Sequence, residues 1–190
     1  MAKRKIPEIL TEYEQEQLIN IFNTSYFSSF RNRTMIKLFL ASGLRLSEMI
    51  NLRWKDINLM TGQLKVVEGK GSKDRILWIS ERIVEELRNW KEKQSEKLSI
   101  CEYVFTTSSK KKLDDRNVRR MVAEYSEKAG ITKNVSPHTF RHTFASDLLR
   151  ATKNIRLVQK ALGHEDLSTT MIYTHIVDEE LEDALKKLRN

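Results

Sequence analysis

The sequence is poor in residues that staple, kink or loosen a chain. Cys101 is the one cysteine among 190 residues, so no internal disulfide can form, and a reducing cytoplasm suits the chain. There are two prolines and six glycines. No internal repeat, low-complexity tract or stretch resembling an interdomain linker interrupts the pattern. No apolar run approaches the length needed to span a bilayer. Lys3-Arg4-Lys5 stands at the front, but no apolar segment follows it, so a signal peptide is not expected. The length suits one well-cored domain and is too short for two large ones.

Acidic residues are the minority charge. Lys and Arg number 34 against 26 Asp and Glu, a formal net charge of +8. The excess points to a polyanionic partner, although solubility alone would also explain it. Local concentration sharpens the inference, at Lys110-Lys111-Lys112 and at Arg116, Arg119 and Arg120. Arg116 and Arg120 lie four apart on an expected helix, so both can face one phosphate backbone. The lysine run alone suits a solvated loop.

Hydrophobic spacing predicts a mainly helical chain. Thr11-Glu12-Tyr13-Glu14 fits a capping box, followed by Leu18, Ile19 and Phe22 as an apolar stripe. A second helix is expected from about Arg31 to Ser42, ended by Gly43, which leaves Arg45 in a turn before a short helix from Ser47. The period then changes to two around Leu64 and Val66, and again around Ile76 and Trp78. With the segment near Ile57 these make a small three-stranded antiparallel sheet, with Lys70 and Lys73 on the hairpin connection. Helices resume after Ser80, Asp114, Ser136-Pro137 and Asn154, each a good start signal. One more turn is expected from Ser168 to about Thr174, and a last helix after Asp178 with Leu181, Leu185 and Leu188 as its stripe.

Four separated stretches carry unusual chemistry. They are Gly43-Leu44-Arg45-Leu46-Ser47-Glu48, Glu68-Gly69-Lys70-Gly71, Ser136-Pro137-His138-Thr139-Phe140-Arg141-His142, and the run from Leu162-Gly163-His164 to Tyr173. Arg45 and Arg141 can each fork two phosphate oxygens. His138 and Arg141 share a helix face, expected to point outward beside a helix N-terminus that favours anions. Lys70, between two glycines, can approach a ligand closely and give up a proton. Tyr173 offers a phenol with an ordinary pKa of about 10, which needs positive charge and a proton acceptor before it can attack. Glu48, one turn after Arg45, can orient it. His138 and His142 have zinc-ligand spacing, but no glutamate follows His138 and no cysteine pair is present, so no metal is expected. His142 is expected to be structural, and His175 is left open.

Together these motifs, with Thr169-Thr170-Met171-Ile172-Tyr173-Thr174-His175, resemble the tyrosine recombinase (phage integrase) family from about Thr11 to Lys187. The resemblance implies an α+β, mainly helical catalytic-domain fold with the small sheet, and a site-specific recombinase acting on double-stranded DNA without metal, cofactor or ATP. It implies that Tyr173 attacks the scissile phosphate to form a 3′-phosphotyrosyl link and that Arg45 and Arg141 neutralise the non-bridging oxygens. Lys70 would protonate the 5′-oxygen, His138 accept the phenolic proton, and His164 hydrogen-bond the phosphate. Glu48 would support Arg45, while Lys73, Arg116, Arg119 and Arg120 would hold flanking DNA. A homotetramer on paired sites and a nucleoid-associated cytoplasmic location follow from the same resemblance.

One departure is at the front. Only about ten residues precede the first helix, whereas family members usually carry an N-terminal helical core-binding domain. The expectation is therefore a single catalytic domain over residues 1–190, either excised or a naturally short recombinase like the fimbrial-switch invertases. The alternatives are a type IB topoisomerase-like nicking and closing activity, or a DNA-binding regulator that does not cleave. The intact set of six residues argues against the last.

Overall fold

Thr11 starts the first helix as the sequence predicts. Its hydroxyl accepts from the Glu14 amide and the Glu14 carboxylate accepts from the Thr11 amide, the two halves of a capping box. The computed structural model describes residues 7–67, 74–164, 170–173 and 186. Within them run α1 (Glu12–Asn20), α2 (Phe27–Ser42), α3 (Leu46–Asn51), β1 (Ile57–Asn58), β2 (Gln63–Val66), β3 (Arg75–Trp78), α4 (Glu81–Leu98), α5 (Asp115–Lys128), α6 (Pro137–Thr152) and α7 (Ile155–Leu162), with short 3₁₀ turns at Trp54–Asp56 and Met171–Tyr173.

Helix α2 is the axis of the fold and packs against α1, α4 and α6. Its start lies four residues before the expected Arg31. Tyr26 provides no side-chain cap there. Phe27 and Phe30 instead pack on the buried indole of Trp90, with ring centroids 4.9 and 6.0 Å away. Tertiary burial thus extends the helix beyond its sequence signal. The indole N–H donates to the Val104 carbonyl, so the core accepts this large side chain without an orphan donor. Polar groups inside the core are paired in the same way. Glu86 on α4 accepts from Arg33, Thr34 and Lys37 of α2.

The sheet has the order β1-β2-β3 and is antiparallel throughout. Leu64 and Val66 face the core as expected. On β3 the apolar pair that marked the strand, Ile76 and Trp78, lies outside at 45 % and 68 % exposure, while Arg75 and Leu77 are buried. The register decides this: Leu64 pairs with Leu77 and Val66 with Arg75, and paired residues share a face. A buried arginine on a strand was not expected, and its partners explain it below.

Gly43 terminates α2 at φ +61°, and its amide donates to the Phe39 carbonyl. A Cβ at this position would overlap the Phe144 ring. Gly43→Ala is expected to lower stability by at least ~1–2 kcal/mol from the left-handed backbone alone, with repacking of Phe144 added. Urea unfolding measures this, and an unchanged midpoint would contradict it.

Candidate active site

Ser136 caps α6 and Pro137 opens it. This sets His138 in the exposed first turn and Arg141 one turn further in. Arg141 does not point outward as expected. Its side chain is buried, with Nη1 donating to the Gly43 carbonyl and Nη2 to the Leu162 carbonyl, both at 2.6 Å. These carbonyls are freed by the ends of α2 and α7, where helix geometry leaves acceptors open. The guanidinium therefore ties together three helices. Burial, and next the charge of Arg45, lower its pKa to about 10, so it stays protonated at neutral pH.

Arg45 precedes α3 and Glu48 lies in its first turn. The Glu48 carboxylate accepts from the Arg45 backbone amide (2.7 Å) and from Arg45 Nη1 (2.9 Å). The same carboxylate receives both terminal nitrogens of Arg75, at 2.8 and 2.9 Å. Arg75 Nε donates to the Ala161 carbonyl of α7. Burial alone would raise the pKa of Glu48, but the hydrogen bonds and charge of Arg75, reinforced by Arg45, hold it at about 2. Arg75 is a positioning residue that the sequence reading missed. The sequence carried no local signal for it, because the register with β2 decides which face of β3 is buried.

Gly163 ends α7 at φ +68°, and His164 follows it. Arg141 Nη2 lies 3.1 Å from His164 Nε2. A guanidinium can only donate, so Nε2 is the acceptor and the ring proton sits on Nδ1. Nδ1 then donates to the hydroxyl of Thr170, 3.0 Å away. Burial, followed by the charges of Arg141, Arg45 and Arg75, lowers the pKa of His164 to about 4, consistent with a neutral ring. In this arrangement Nε2 serves Arg141 and is not turned to an incoming phosphate.

Tyr173 sits in the turn after Thr170, whose carbonyl accepts from the Tyr173 amide. Its ring packs with Ala145, Leu149, Val158 and Leu162 in a small second core. Its hydroxyl lies 2.6 Å from His142 Nδ1. Burial pushes the phenol up to about 12, with Arg141 pulling the other way. His142 was expected to be structural, and no direct bond joins the phenol to His138 among the described residues. The signal was present in the four-residue spacing of His138 and His142, which suggests a shared helix face without telling which imidazole meets the phenol.

One cleft gathers these groups. Arg45, His138, Arg141, His142, His164 and Tyr173 line it, together with Asp115 and Arg119 from α5. Of the basic residues expected on α5, Arg119 reaches this cleft. Arg116 shares a neighbouring surface hollow with it, and Arg120 lies exposed beside Asn117 and Glu124. Lys70, Lys73, His175 and the expected last helix lie outside the described residues. Among the described residues, no group of three or more His, Cys, Asp or Glu is placed to hold a metal ion. Arg45 and Arg75 share the carboxylate of Glu48, and the charge of Arg141 is held nearby by backbone carbonyls. The remaining positive charge suits a phosphodiester, and fixed donors act on developing charge without having to reorganise.

The comparisons agree with that chemistry. The model of the phage integrase family matches residues 8–180. A tyrosine recombinase from Thermosipho africanus is 40 % identical over 186 residues, covering 98 % of this chain and 63 % of the relative. The chain thus spans less than two thirds of that relative's length. The crystal structure of XerA recombinase aligns with TM-score 0.84 and 33 % identity, covering 99 % of this chain and 67 % of that one. XerH site-specific recombinase, bound to a palindromic difH substrate in a post-cleavage complex, aligns with TM-score 0.82 and 29 % identity, covering 98 % and 54 %.

Proposed function

The chain belongs to the phage integrase family, and from that premise we propose that it breaks and rejoins DNA at specific sites through a covalent intermediate on Tyr173. The observation that carries this is the meeting, in one cleft, of a phenol with Arg45, Arg141 and three imidazoles drawn from distant parts of the chain. Arg45 meets the non-bridging oxygens of the scissile phosphate with its guanidinium, and Arg141 adds the N–H groups left over from its bonds to Gly43, Leu162 and His164. His138, exposed at the start of α6, adds a donor beside the helix N-terminus, and His164 steadies Arg141. Glu48 holds Arg45 in place.

In this scheme Tyr173 attacks phosphorus, a 3′-phosphotyrosyl bond forms, and the 5′-oxygen leaves with a proton from Lys70. A 5′-hydroxyl from another strand reverses the step. The bond energy is conserved in the ester, so no ATP is required. Lys73 and the arginines of α5 (Arg116, Arg119 and Arg120) hold the flanking backbone and make binding salt-dependent. The DNA-bound state of XerH supports a duplex partner. Four copies on two sites would complete an exchange, in the cytoplasm where the nucleoid lies. The similarity to recombinases favours strand exchange over simple nicking and closing.

The test offers the protein a pool of nicked duplexes with inverted-repeat arms of randomised sequence. A denaturation-resistant protein–DNA band is expected, with the DNA linked to Tyr173 by peptide mapping. Sequencing the captured duplexes defines the site, and pairs of such sites then report exchange. Attachment to another residue, or no band under any condition, would overturn the reading.

A further inference from the structure

We propose that His142 is a catalytic residue, taking the phenolic proton of Tyr173 on Nδ1 as the phenol attacks phosphorus. The proposal deepens the function above and rests on Tyr173 being the nucleophile.

Geometry selects His142 among the three imidazoles of the cleft. His164 has both nitrogens engaged, by Arg141 and by Thr170. His138 is exposed one turn away and makes no bond to the phenol among the described residues. His142 Nδ1 lies 2.6 Å from the phenolic oxygen. A phenol is a far stronger acid than a neutral imidazole N–H, so in the proposed step the phenol donates, Nδ1 accepts, and the ring proton of His142 sits on Nε2. The two rings lie 5.8 Å apart between centroids and are tilted by 53°, so they are not stacked face to face.

The surroundings keep the acceptor available. Burial, then the charges of His138 and Arg141 on the same helix, lower the affinity of His142 for a proton, so the ring is neutral at neutral pH. Arg45, Asp115, Arg119 and His164 share the cleft. With the phenol pushed up to about 12, transfer is uphill before substrate arrives. Bond formation changes the balance, because the phenolic oxygen becomes acidic as it joins phosphorus. The phosphate charge also stabilises an imidazolium beside it.

The step is balanced. The O–H bond of Tyr173 breaks and its proton moves to Nδ1, giving imidazolium. An oxygen lone pair forms the O–P bond while the P–O5′ bond breaks. The 5′-oxygen takes a proton from Lys70, the donor of the proposed scheme. On rejoining, the imidazolium returns its proton to the phenolic oxygen.

The experiment uses the full chain and the duplex captured by the wild-type protein, in single-turnover adduct formation. His142→Ala is expected to slow the adduct by ~10²–10⁴, the usual worth of a positioned base, with duplex affinity unchanged within about threefold. His142→Asn can still accept the phenolic hydrogen bond but cannot carry the proton, so it should be as slow. Trifluorotyrosine at position 173, an acidic phenol, should restore the His142→Ala rate to within about tenfold of the wild type. The wild-type rate should fall on acidification, with a midpoint below the ordinary histidine value of about 6.5 because the site lowers the affinity of His142 for a proton, and this limb should vanish in His142→Ala. Rescue by Asn would reduce His142 to a positioning group and overturn the proposal. So would a His142→Ala rate at or above wild type, the mark of a latch, or a deficit that the acidic phenol leaves untouched, the mark of a structural role. If the wild-type chain forms no adduct at Tyr173, the parent reading falls first and this one with it.

Discussion

Tyr173→Phe is expected to abolish the covalent protein–DNA band completely while leaving duplex affinity within about twofold. The phenolic oxygen is the one atom lost, and it is the atom that would join phosphorus. The ring remains in its small core with Ala145, Leu149, Val158 and Leu162, so the fold should hold. One hydrogen bond to His142 disappears, a cost of about 0.5–1.5 kcal/mol. Arg45, Arg141 and the basic face of α5 are untouched, so binding should keep its salt dependence. Adduct formation by this variant would show that another side chain attacks. Loss of binding together with the band would show that the phenol serves the fold or the duplex contact instead.

Removing Glu48 should be the most damaging change to stability near the site. The carboxylate is buried and joins Arg45 to Arg75, and through Arg75 it reaches the end of α7. Taking one member from such a buried pair typically costs ~3–5 kcal/mol, because the guanidinium charges lose their compensation. Glu48→Ala is therefore expected to lower the unfolding free energy by about that amount and to cut cleavage by loosening Arg45. Glu48→Gln should retain part of the stability, since its amide oxygen still accepts.

The pH dependence follows from the depressed acidity of Glu48, about 2 against an ordinary value of 4.5. A group whose folded pKa is lowered contributes stability in full above its unfolded pKa and loses it as pH falls toward the folded one. The gap between wild type and Glu48→Gln should be constant above about pH 4.5 and narrow steadily toward pH 2. Urea unfolding at several pH values measures it. A gap that widened on acidification would refute the assignment.

Much of the framework was legible in the linear pattern because its signals are local. The Thr11–Glu14 box, the Gly43 stop, the Ser136-Pro137 start and the Asn154 cap each involve neighbours within a few residues. Short-range hydrogen bonding sets such ends whatever lies elsewhere. The same holds for the order of motifs that identifies the family. The early start of α2 was not legible, because it depends on Phe27 meeting Trp90 across 63 positions. The face of β3 was not legible either, since Ile76 and Trp78 are as apolar as Leu77, and an arginine at position 75 looks like a surface residue until its carboxylate is found.

Residue types, spacing and net charge therefore already named the chemistry: a phenol, two forked cations, imidazoles and a polyanionic partner. Folding settled who touches whom. It turned Arg141 inward onto the Gly43 and Leu162 carbonyls, made Arg75 a buried partner of Glu48, and put His142 against the phenol. Those choices rest on distances between residues far apart in the chain. Such distances follow from how the helices and the sheet pack around α2, and no local preference encodes them.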